Sequence, residues 1–307
     1  SLRGSIPSID LITEGTSVAV KDQYEDNPYP RWVNIGILQK SMTISEITNL
    51  TGIRVLSHGS DPSNQSNVLV AGCGTGQHAL GTASTYLNCN VLAMDLSLSS
   101  LSYATRKTQE LGIANIEYMQ GDILKLDQLE REFDIVESVG VLHHMEDPVM
   151  GLKILLNLLE PHGFLKIGLY SKKARQNVIK AKKFIQKNKF KNTINDIKIS
   201  RQAIIKKNKN LEFKNIVDAS DFYSTSVVKD LLFHAQEHQF TLPQISKILK
   251  NLNLEFLGFD NLKIKNKYSK LFPDDKSNTS LDSWNKFETS NPYSFSGMYS
   301  FWVRKIK

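Results

Sequence analysis

Residues 68–76 read VLVAGCGTG, an apolar run that leads directly into three alternating glycines. Glycine has no Cβ, so a turn built from it lets a ligand lie against the backbone N–H groups at the start of the next helix. A second apolar run, at 91–94, ends in Asp95, which is placed to accept hydrogen bonds from both hydroxyls of a ribose. Together the two runs predict a pocket for a cofactor that carries adenosine.

The spacing of the glycines narrows the choice of cofactor. The dinucleotide fingerprint G-x-G-x-x-G needs a glycine at position 77, where the chain has Gln77. The observed G-x-G-x-G is followed in order by Asp95, by GDI at 121–123 and by FDIV at 133–136. This series, within about residues 60–170, resembles the class I S-adenosylmethionine (SAM) methyltransferases. The resemblance implies that SAM is the cofactor and S-adenosylhomocysteine (SAH) the product.

The same resemblance implies which residues bind SAM. They belong to the glycine loop and to the ends of the next two strands: Ala71, Gly72, Gly74, Thr75, Gly76, Asp95, Leu96, Gly121, Asp122 and Ile123. Asp95 would bind the ribose, and Asp122 with Ile123 would frame the adenine. The family usually has an acid at the third position of the first motif, where this chain has Val70. One contact toward the amino group of SAM is therefore missing or supplied elsewhere.

The order of apolar runs and helical patterns predicts an α/β fold. The resemblance makes it Rossmann-like, with a mostly parallel seven-stranded sheet, an antiparallel edge hairpin and a helical insertion after strand five. The predicted strands are 68–71, 91–95, 115–119, 133–138, 164–170, 254–259 and 299–303, with a turn at 159–163 leading into the fifth. The predicted helices are 77–88, 98–112, 148–159 and 241–251, the last capped by Thr241 with Pro243 in its first turn.

Four regions follow from this reading. Residues 1–60 form an N-terminal arm with lid helices, 61–171 the SAM-binding core, 172–240 a mostly helical basic cap, and 241–307 the return to the core. Ligands of open parallel sheets bind outside the carboxyl ends of the strands. An insertion that leaves the fifth strand there is expected to cap the active site and to help select the substrate.

The predicted cap concentrates the positive charge of the chain. Residues 172–210 hold 14 Lys and Arg side chains against one acid, Asp196, whereas the whole chain has a net charge of +7. Such a stretch can bind nucleic acid, anionic lipid or an acidic partner. It can equally be a solvated helix face, because only Phe184 and Phe190 are available to interleave with bases. A small-molecule acceptor is the main prediction, and RNA or protein methylation through this segment is the alternative.

Catalytic candidates follow the fourth strand. Methyl transfer from a sulfonium requires an aligned nucleophile, and a base only where the acceptor is protonated. Residues 137–145 read ESVGVLHHM and would lie beside the methyl group. His143 and His144 are the candidate bases, because an imidazole titrates near neutrality. Glu137 is the third candidate, and a packing role is the alternative for all three.

An aromatic and prolyl segment precedes the domain. Residues 23–32 read QYEDNPYPRW, which resembles the N-terminal segment of bacterial methyltransferase domains that follow tetratricopeptide repeats. The resemblance implies a lid over SAM, in which Tyr24 and Arg31 contact the methionine end or the substrate, Arg31 through a bidentate carboxylate contact. It also implies upstream repeats in a longer chain. A packing arm is the alternative.

The substrate pocket is predicted from residues near the end of the insertion. Tyr223, His234, Glu237 and His238 resemble the same narrower group. His234 and His238 would share one face of a helix, four residues apart. The run H-x-x-E-H is formally the inverted zincin pattern, but the SAM-domain context argues against a protease, and no metal site is predicted.

Several classes are excluded or disfavoured by composition. No apolar run approaches the ~20 residues of a membrane span, and the first residues lack the plan of a secretory leader. Two cysteines do not make a disulfide framework, which favours a cytoplasmic protein. A SAM-binding protein without catalysis is a further alternative, because Val70 departs from the usual motif.

Overall fold

The computed structural model describes residues 2–9, 12, 15–36, 41–53, 65–208, 213–218 and 220–306. At its centre is one sheet of seven strands. They are β1 (Ser66–Ala71), β2 (Cys89–Asp95), β3 (Ile116–Gln120), β4 (Phe133–Val139), β5 (Leu159–Leu169), β6 (Leu254–Phe259) and β7 (Tyr299–Lys305). Their order across the sheet is β3-β2-β1-β4-β5-β7-β6. The first five strands pair in parallel, and β7 is antiparallel to both β5 and β6. The predicted Rossmann-like sheet with its antiparallel edge is confirmed.

Helices cover both faces of the sheet and fill the long connections. They are α1 (Leu2–Ser5), α2 (Gly15–Asp26), α3 (Ile44–Thr51), α4 (Gln77–Thr85), α5 (Leu98–Glu110), α6 (Pro148–Asn157), α7 (Gln176–Lys187), α8 (Ile194–Lys207), α9 (Lys214–Val217), α10 (Thr225–Phe233), α11 (Leu242–Asn251), α12 (Leu262–Leu271) and α13 (Leu281–Ser290). Within the described ranges, none of the helices has the length and apolarity needed to cross a lipid bilayer.

The apolar run of β1 is explained by burial on both faces of the sheet. Val68 and Val70 enter one buried cluster, whereas Leu69 and Ala71 enter another. Successive side chains of a strand point to opposite faces, so a central parallel strand needs apolar residues at every position. The strand ends at Ala71, and the glycine loop begins at Gly72.

One predicted boundary is wrong. The structure ends α6 at Asn157 and begins β5 at Leu159, so the predicted turn at 159–163 is the first part of a strand. Leu159 pairs with Phe133, and an irregularity follows before the regular ladder resumes. Gly163 makes this possible, because a Cβ there would lie 2.8 Å from the Asp134 carbonyl oxygen. The irregular pairing at the start of β5 interrupts the alternation of side chains, so the apolar periodicity of the sequence does not reveal where the strand begins.

The insertion after β5 comprises α7 to α10 and has its own apolar core. Its buried residues include Ala181, Ile197, Ile204, Phe213 and Val228. The chain leaves and returns through a short pairing at the carboxyl end of β5. There the Phe240 N–H donates to the Tyr170 carbonyl (2.8 Å), and the Lys172 N–H donates to the Phe240 carbonyl (2.8 Å). The insertion is therefore anchored at the edge of the sheet where ligands bind.

The helix that follows the insertion begins where the sequence predicts. Thr241 Oγ1 accepts a hydrogen bond from the Gln244 N–H, and Gln244 Oε1 accepts one from the Thr241 N–H. Pro243 stands in the first turn of α11. This reciprocal capping box satisfies backbone donors that the helix itself leaves open.

Candidate active site

A cavity of about 570 Å³ opens at the carboxyl ends of the parallel strands. It lies where β1 neighbours β4, the point at which the strand order reverses and open sheets bind their ligands. Each of the five parallel strands contributes a lining residue just past its end: Gly72, Leu96, Gly121, Gly140 and Tyr170. The volume falls in the range of roughly 300–1,000 Å³ that is usual for small-molecule sites.

Two glycines of the loop are closely approached by other segments that line the cavity, around Val141 and Tyr29. Gly72 and Gly74 have φ angles of 83° and 54°. A Cβ at Gly72 would lie 2.3 Å from Val141 Cγ2, and one at Gly74 would lie 2.5 Å from the Tyr29 carbonyl oxygen. Both glycines line the cavity. The lack of a Cβ at these two glycines therefore makes room for other parts of the chain, as well as for any ligand.

Ala71, Thr75 and Gly76, predicted as cofactor contacts, are not among the residues that line the cavity. Thr75 Oγ1 donates to the Pro30 carbonyl oxygen at 2.6 Å, which fastens the N-terminal segment to the loop. A Cβ at Gly76 would lie 2.6 Å from Ala104 Cβ of α5. Thr75 and Gly76 thus hold the loop in place by packing and hydrogen bonding from outside the cavity.

Asp95 lies on the cavity wall, and two backbone groups hold its carboxylate. Its Oδ2 accepts from the Gly74 N–H at 2.8 Å, and its Oδ1 accepts from the Ser97 N–H at 3.0 Å. Burial raises the pKa of Asp95, although these hydrogen bonds oppose the rise. An oriented carboxylate of this kind can accept hydrogen bonds from two neighbouring hydroxyls.

The other predicted nucleoside residues gather on the same side of the cavity. Leu96, Gly121, Asp122 and Ile123 all line it. Asp122 Oδ1 accepts from the Leu124 N–H at 3.0 Å and so caps a short 3₁₀ helix. The apolar side chains beside Asp95 provide a surface for a purine. The residues present therefore fit the nucleoside of SAM.

Helix α2, which falls in the predicted lid, lines the cavity with one of its faces. Thr16, Val20 and Tyr24 stand four residues apart and all line it, as side chains on one helix face do. Gln23 points the other way, and its Oε1 accepts from the Ala235 N–H at 3.1 Å. One helix therefore contacts both the cavity and the insertion.

The placement of Arg31 gives no support to the predicted contact with the cofactor or substrate. Its side chain is exposed and is not part of the cavity wall, whereas Tyr29 and Pro30 are. The lid brings Tyr24 to the cavity as the sequence predicts, but the chain turns Arg31 outward.

A directed chain of hydrogen bonds ends at Asp230, which lines the cavity from α10. His234 Nδ1 accepts from the Gln236 N–H (3.2 Å), so the ring proton lies on Nε2. Nε2 is 3.1 Å from Tyr24 Oη and donates to it, which leaves the Tyr24 hydroxyl proton for Asp230 Oδ1 at 3.0 Å. Among the described residues, Asp230 Oδ2 has no hydrogen-bond partner. Burial raises the pKa of Asp230 to about 6, although the Tyr24 hydrogen bond opposes this.

The two adjacent histidines have different positions. His144 lines the cavity, and its Nδ1 lies 2.7 Å from the Gln236 carbonyl oxygen, so the proton is on Nδ1 and Nε2 is an acceptor. Burial lowers the pKa of His144 to about 4, which makes it neutral at physiological pH. His143 is fully buried behind it, with its ring centroid 3.8 Å from that of Tyr170. Burial also lowers the pKa of His143 well below its usual value.

Glu137 does not border the cavity. It is 2% exposed and contacts three side chains of the α4 region: His78 Nε2 at 2.9 Å, Thr82 Oγ1 at 2.6 Å and Tyr86 Oη at 3.1 Å. Burial alone would raise its pKa, but His78 and the hydrogen bonds hold it down at about 2. A carboxylate with so low a pKa binds a proton weakly and is therefore a poor general base.

The predicted shared helix face of His234 and His238 is wrong, because α10 ends at Phe233 and the residues after it are not helical. His234 stacks on His144, with ring centroids 3.6 Å apart. His238 instead contacts the Glu146 carbonyl oxygen at 3.2 Å through Nε2. The backbone conformation after α10 separates the two rings.

Two further predicted wall residues lie outside the cavity. Glu237 is bound by Arg175, whose Nε and Nη2 lie 3.2 and 3.0 Å from its two carboxylate oxygens, and by Lys182 Nζ at 2.8 Å. Tyr223 is 58% exposed on the surface of the insertion. Of the four predicted wall residues, only His234 reaches the cavity region, through Tyr24 and His144.

Sequence reasoning missed Asp230, Tyr170 and His78, which all line the cavity. Asp230 and Tyr170 carry no local motif. His78 does have a signal, because His78, Thr82 and Tyr86 are polar residues at intervals of four along a helix that otherwise packs against the sheet. Such a stripe indicates a buried polar partner on the facing strand.

Comparison with known proteins gives one family. A family described as "Methyltransferase domain" matches residues 62–219. An uncharacterized protein of Synechococcus sp. is 28% identical over 201 residues, which are 63% of this chain and 48% of that protein. The probable (S)-tetrahydroprotoberberine N-methyltransferase 2 of Papaver bracteatum is 28% identical over 88 residues, 29% of this chain and 24% of that enzyme. The chain spans less than half the length of these relatives.

Among solved structures, PKMT2 from Rickettsia typhi in complex with AdoHcy has the same fold. It aligns with a TM-score of 0.61 at 18% identity, over 84% of this chain and 52% of that one.

Proposed function

Since this chain belongs to the methyltransferase domain family and is a SAM-dependent enzyme, we propose that its acceptor is a small molecule enclosed beneath the insertion. The observation that carries the proposal is the hydrogen bond between Tyr24 of the lid and Asp230 of the insertion, 3.0 Å long and on the cavity wall. It joins two elements over the space next to the glycine loop. A roofed cavity of this kind suits a small acceptor.

The cavity divides between cofactor and acceptor. Asp95, Leu96 and Ile123 form the nucleoside end. Bound SAM supplies a methyl group already activated on a sulfonium. Asp230, His144 and Tyr170 form the opposite wall, where the protein's task is to orient the acceptor and exclude water.

Asp230 is the better base on this wall. With a pKa of about 6 it is mostly ionised at neutral pH, and Oδ2 is available to take a proton from an acceptor N–H or O–H. His144 has a pKa of about 4, so its Nε2 serves as a hydrogen-bond acceptor that orients the substrate. Tyr24 and His234 hold the Asp230 carboxylate in place.

The relative from Papaver bracteatum, named as an N-methyltransferase of a small alkaloid, is consistent with such an acceptor. The basic segment gives less support to a nucleic-acid or protein substrate. Phe184 and Phe190 are partly buried against the core of the insertion, so their faces are not presented to bases. Lys182 is paired with Glu237.

The test supplies SAM with a deuterated methyl group to the enzyme, together with a small-molecule extract, RNA or protein from the source organism. We expect the label in the low-mass fraction. Asp230→Asn should reduce transfer by about 10²- to 10⁴-fold, the usual contribution of a general base. Glu substitutions at the exposed Lys183, Lys187 and Lys189 should leave it unchanged. Label found only in RNA or protein, and lost with the Lys→Glu changes, would establish the alternative.

A further inference from the structure

The acid that the first glycine motif lacks has a counterpart on the neighbouring strand. Val70 of β1 pairs in register with Glu137 of β4. Registered residues of parallel strands project from the same face of the sheet, so the Glu137 carboxylate leaves the sheet beside the position where the family usually has its acid. Lys166 of β5 is in turn in register with Glu137 and lines the cavity.

Glu137 is a buried charge with a specific set of partners. His78, Thr82 and Tyr86 all contact its two oxygens at 2.6 to 3.1 Å. Removing a carboxylate from water is costly unless such groups compensate for the loss. Of the three partners, only His78 also lines the cavity.

His78 connects this carboxylate to the ligand space. It stands in the first turn of α4, two residues after Gly76, and 28% of its side chain is exposed. The Nε2 contact with Glu137 fixes the ring and leaves Nδ1 as its second polar atom. Among the described residues, no group hydrogen-bonds to Nδ1. A histidine oriented by a carboxylate presents a defined nitrogen to whatever fills the cavity.

We infer that Glu137 supplies from β4 the carboxylate that β1 lacks at Val70, and that it positions His78 to bind the amino-acid end of SAM. The nucleoside end is defined by Asp95 and Asp122, at the ends of β2 and β3. Lys166 lines the cavity from β5, which lies beyond β1 and β4 in the strand order, and His78 lines it from the start of α4, where it contacts Glu137 of β4. The carboxylate of the methionine portion can pair with the Lys166 ammonium, and its ammonium can donate a hydrogen bond to His78. The inference rests on the cofactor alone and not on the identity of the acceptor.

Calorimetry with two ligands tests the role of His78. SAH contains the amino-acid portion, and 5′-methylthioadenosine lacks it but keeps the nucleoside and sulfur. We expect His78→Ala to weaken SAH binding by about tenfold to a hundredfold, the effect of losing a hydrogen bond to a charged group. Binding of 5′-methylthioadenosine should change by less than about threefold, as for surface substitutions. The control is His162→Ala, at an exposed histidine near the start of β5, which should change neither.

General damage to the fold would weaken both ligands equally, so an unchanged ratio of the two affinities overturns the inference. Undiminished SAH binding overturns it as well.

A mutant cycle tests whether Glu137 acts through His78. Glu137→Gln removes the charge and retains the shape, so it should reduce SAH affinity relative to 5′-methylthioadenosine in the wild-type background. In the His78→Ala background the same change should leave the ratio of the two affinities unaltered, because coupled residues are not additive. Equal effects of Glu137→Gln in both backgrounds would contradict positioning through His78. Neither result depends on methyl transfer, so a failure here is distinct from a failure of the proposed acceptor.

Discussion

At the scale of single residues, Asp95 is the side chain for which we propose the most direct role, binding of the ribose. Its carboxylate accepts the Gly74 and Ser97 N–H groups, which orients it toward the cavity. Asp95→Ala should weaken SAH binding by roughly a hundredfold, because hydrogen bonds to a charged group are lost. Calorimetry measures the affinity, and the unfolding temperature reports whether the loop has been disturbed. Unchanged affinity in a folded variant would show that the ribose lies elsewhere.

At the scale of elements, the insertion is a separate apolar unit attached at the end of β5. Ile204 is fully buried in its core, so Ile204→Ala should destabilise this unit by about 2–5 kcal/mol, the usual cost of a large-to-small core change. Because α10 carries Asp230, turnover of the acceptor should fall, while SAH affinity, which depends on the sheet, should be retained. Hydrogen exchange resolves the two regions. Equal loss of protection in the insertion and in β1 would mean that they unfold together.

At the scale of the whole molecule, one buried carboxylate should couple folding to pH. Burial by itself would raise the pKa of Glu137, but its partners lower it to about 2, below the ordinary value of 4.5. A lowered folded-state pKa gives stability that is complete above the ordinary pKa and is lost as the pH falls toward the folded one. Between pH 4.5 and about 2, the free energy of unfolding should therefore fall more steeply for the wild type than for Glu137→Gln. Denaturant titrations across this range measure the difference, and parallel curves would contradict it.

The chain by itself determined the sheet, the glycine loop and the position of Asp95 at the end of β2, beside the cavity. These features depend on the spacing of residues within one or two neighbouring elements, and short-range spacing is visible in a sequence. Thr241 is a further case, because its capping partner Gln244 stands three residues away.

Only the tertiary structure decided which side chains of the insertion line the cavity and where the histidines lie. Tyr24 and Asp230 meet across 206 residues, and Glu137 meets His78 because β4 lies beside β1. Burial then lowers the pKa of His144 and raises that of Asp230, and for this reason we propose Asp230 as the base in place of His144. Arg31 and Tyr223 had the right chemistry for a binding site, but the paths of their segments carry them to the surface. Contacts between distant segments and the loss of water around them have no local pattern, because both arise only when the chain has folded.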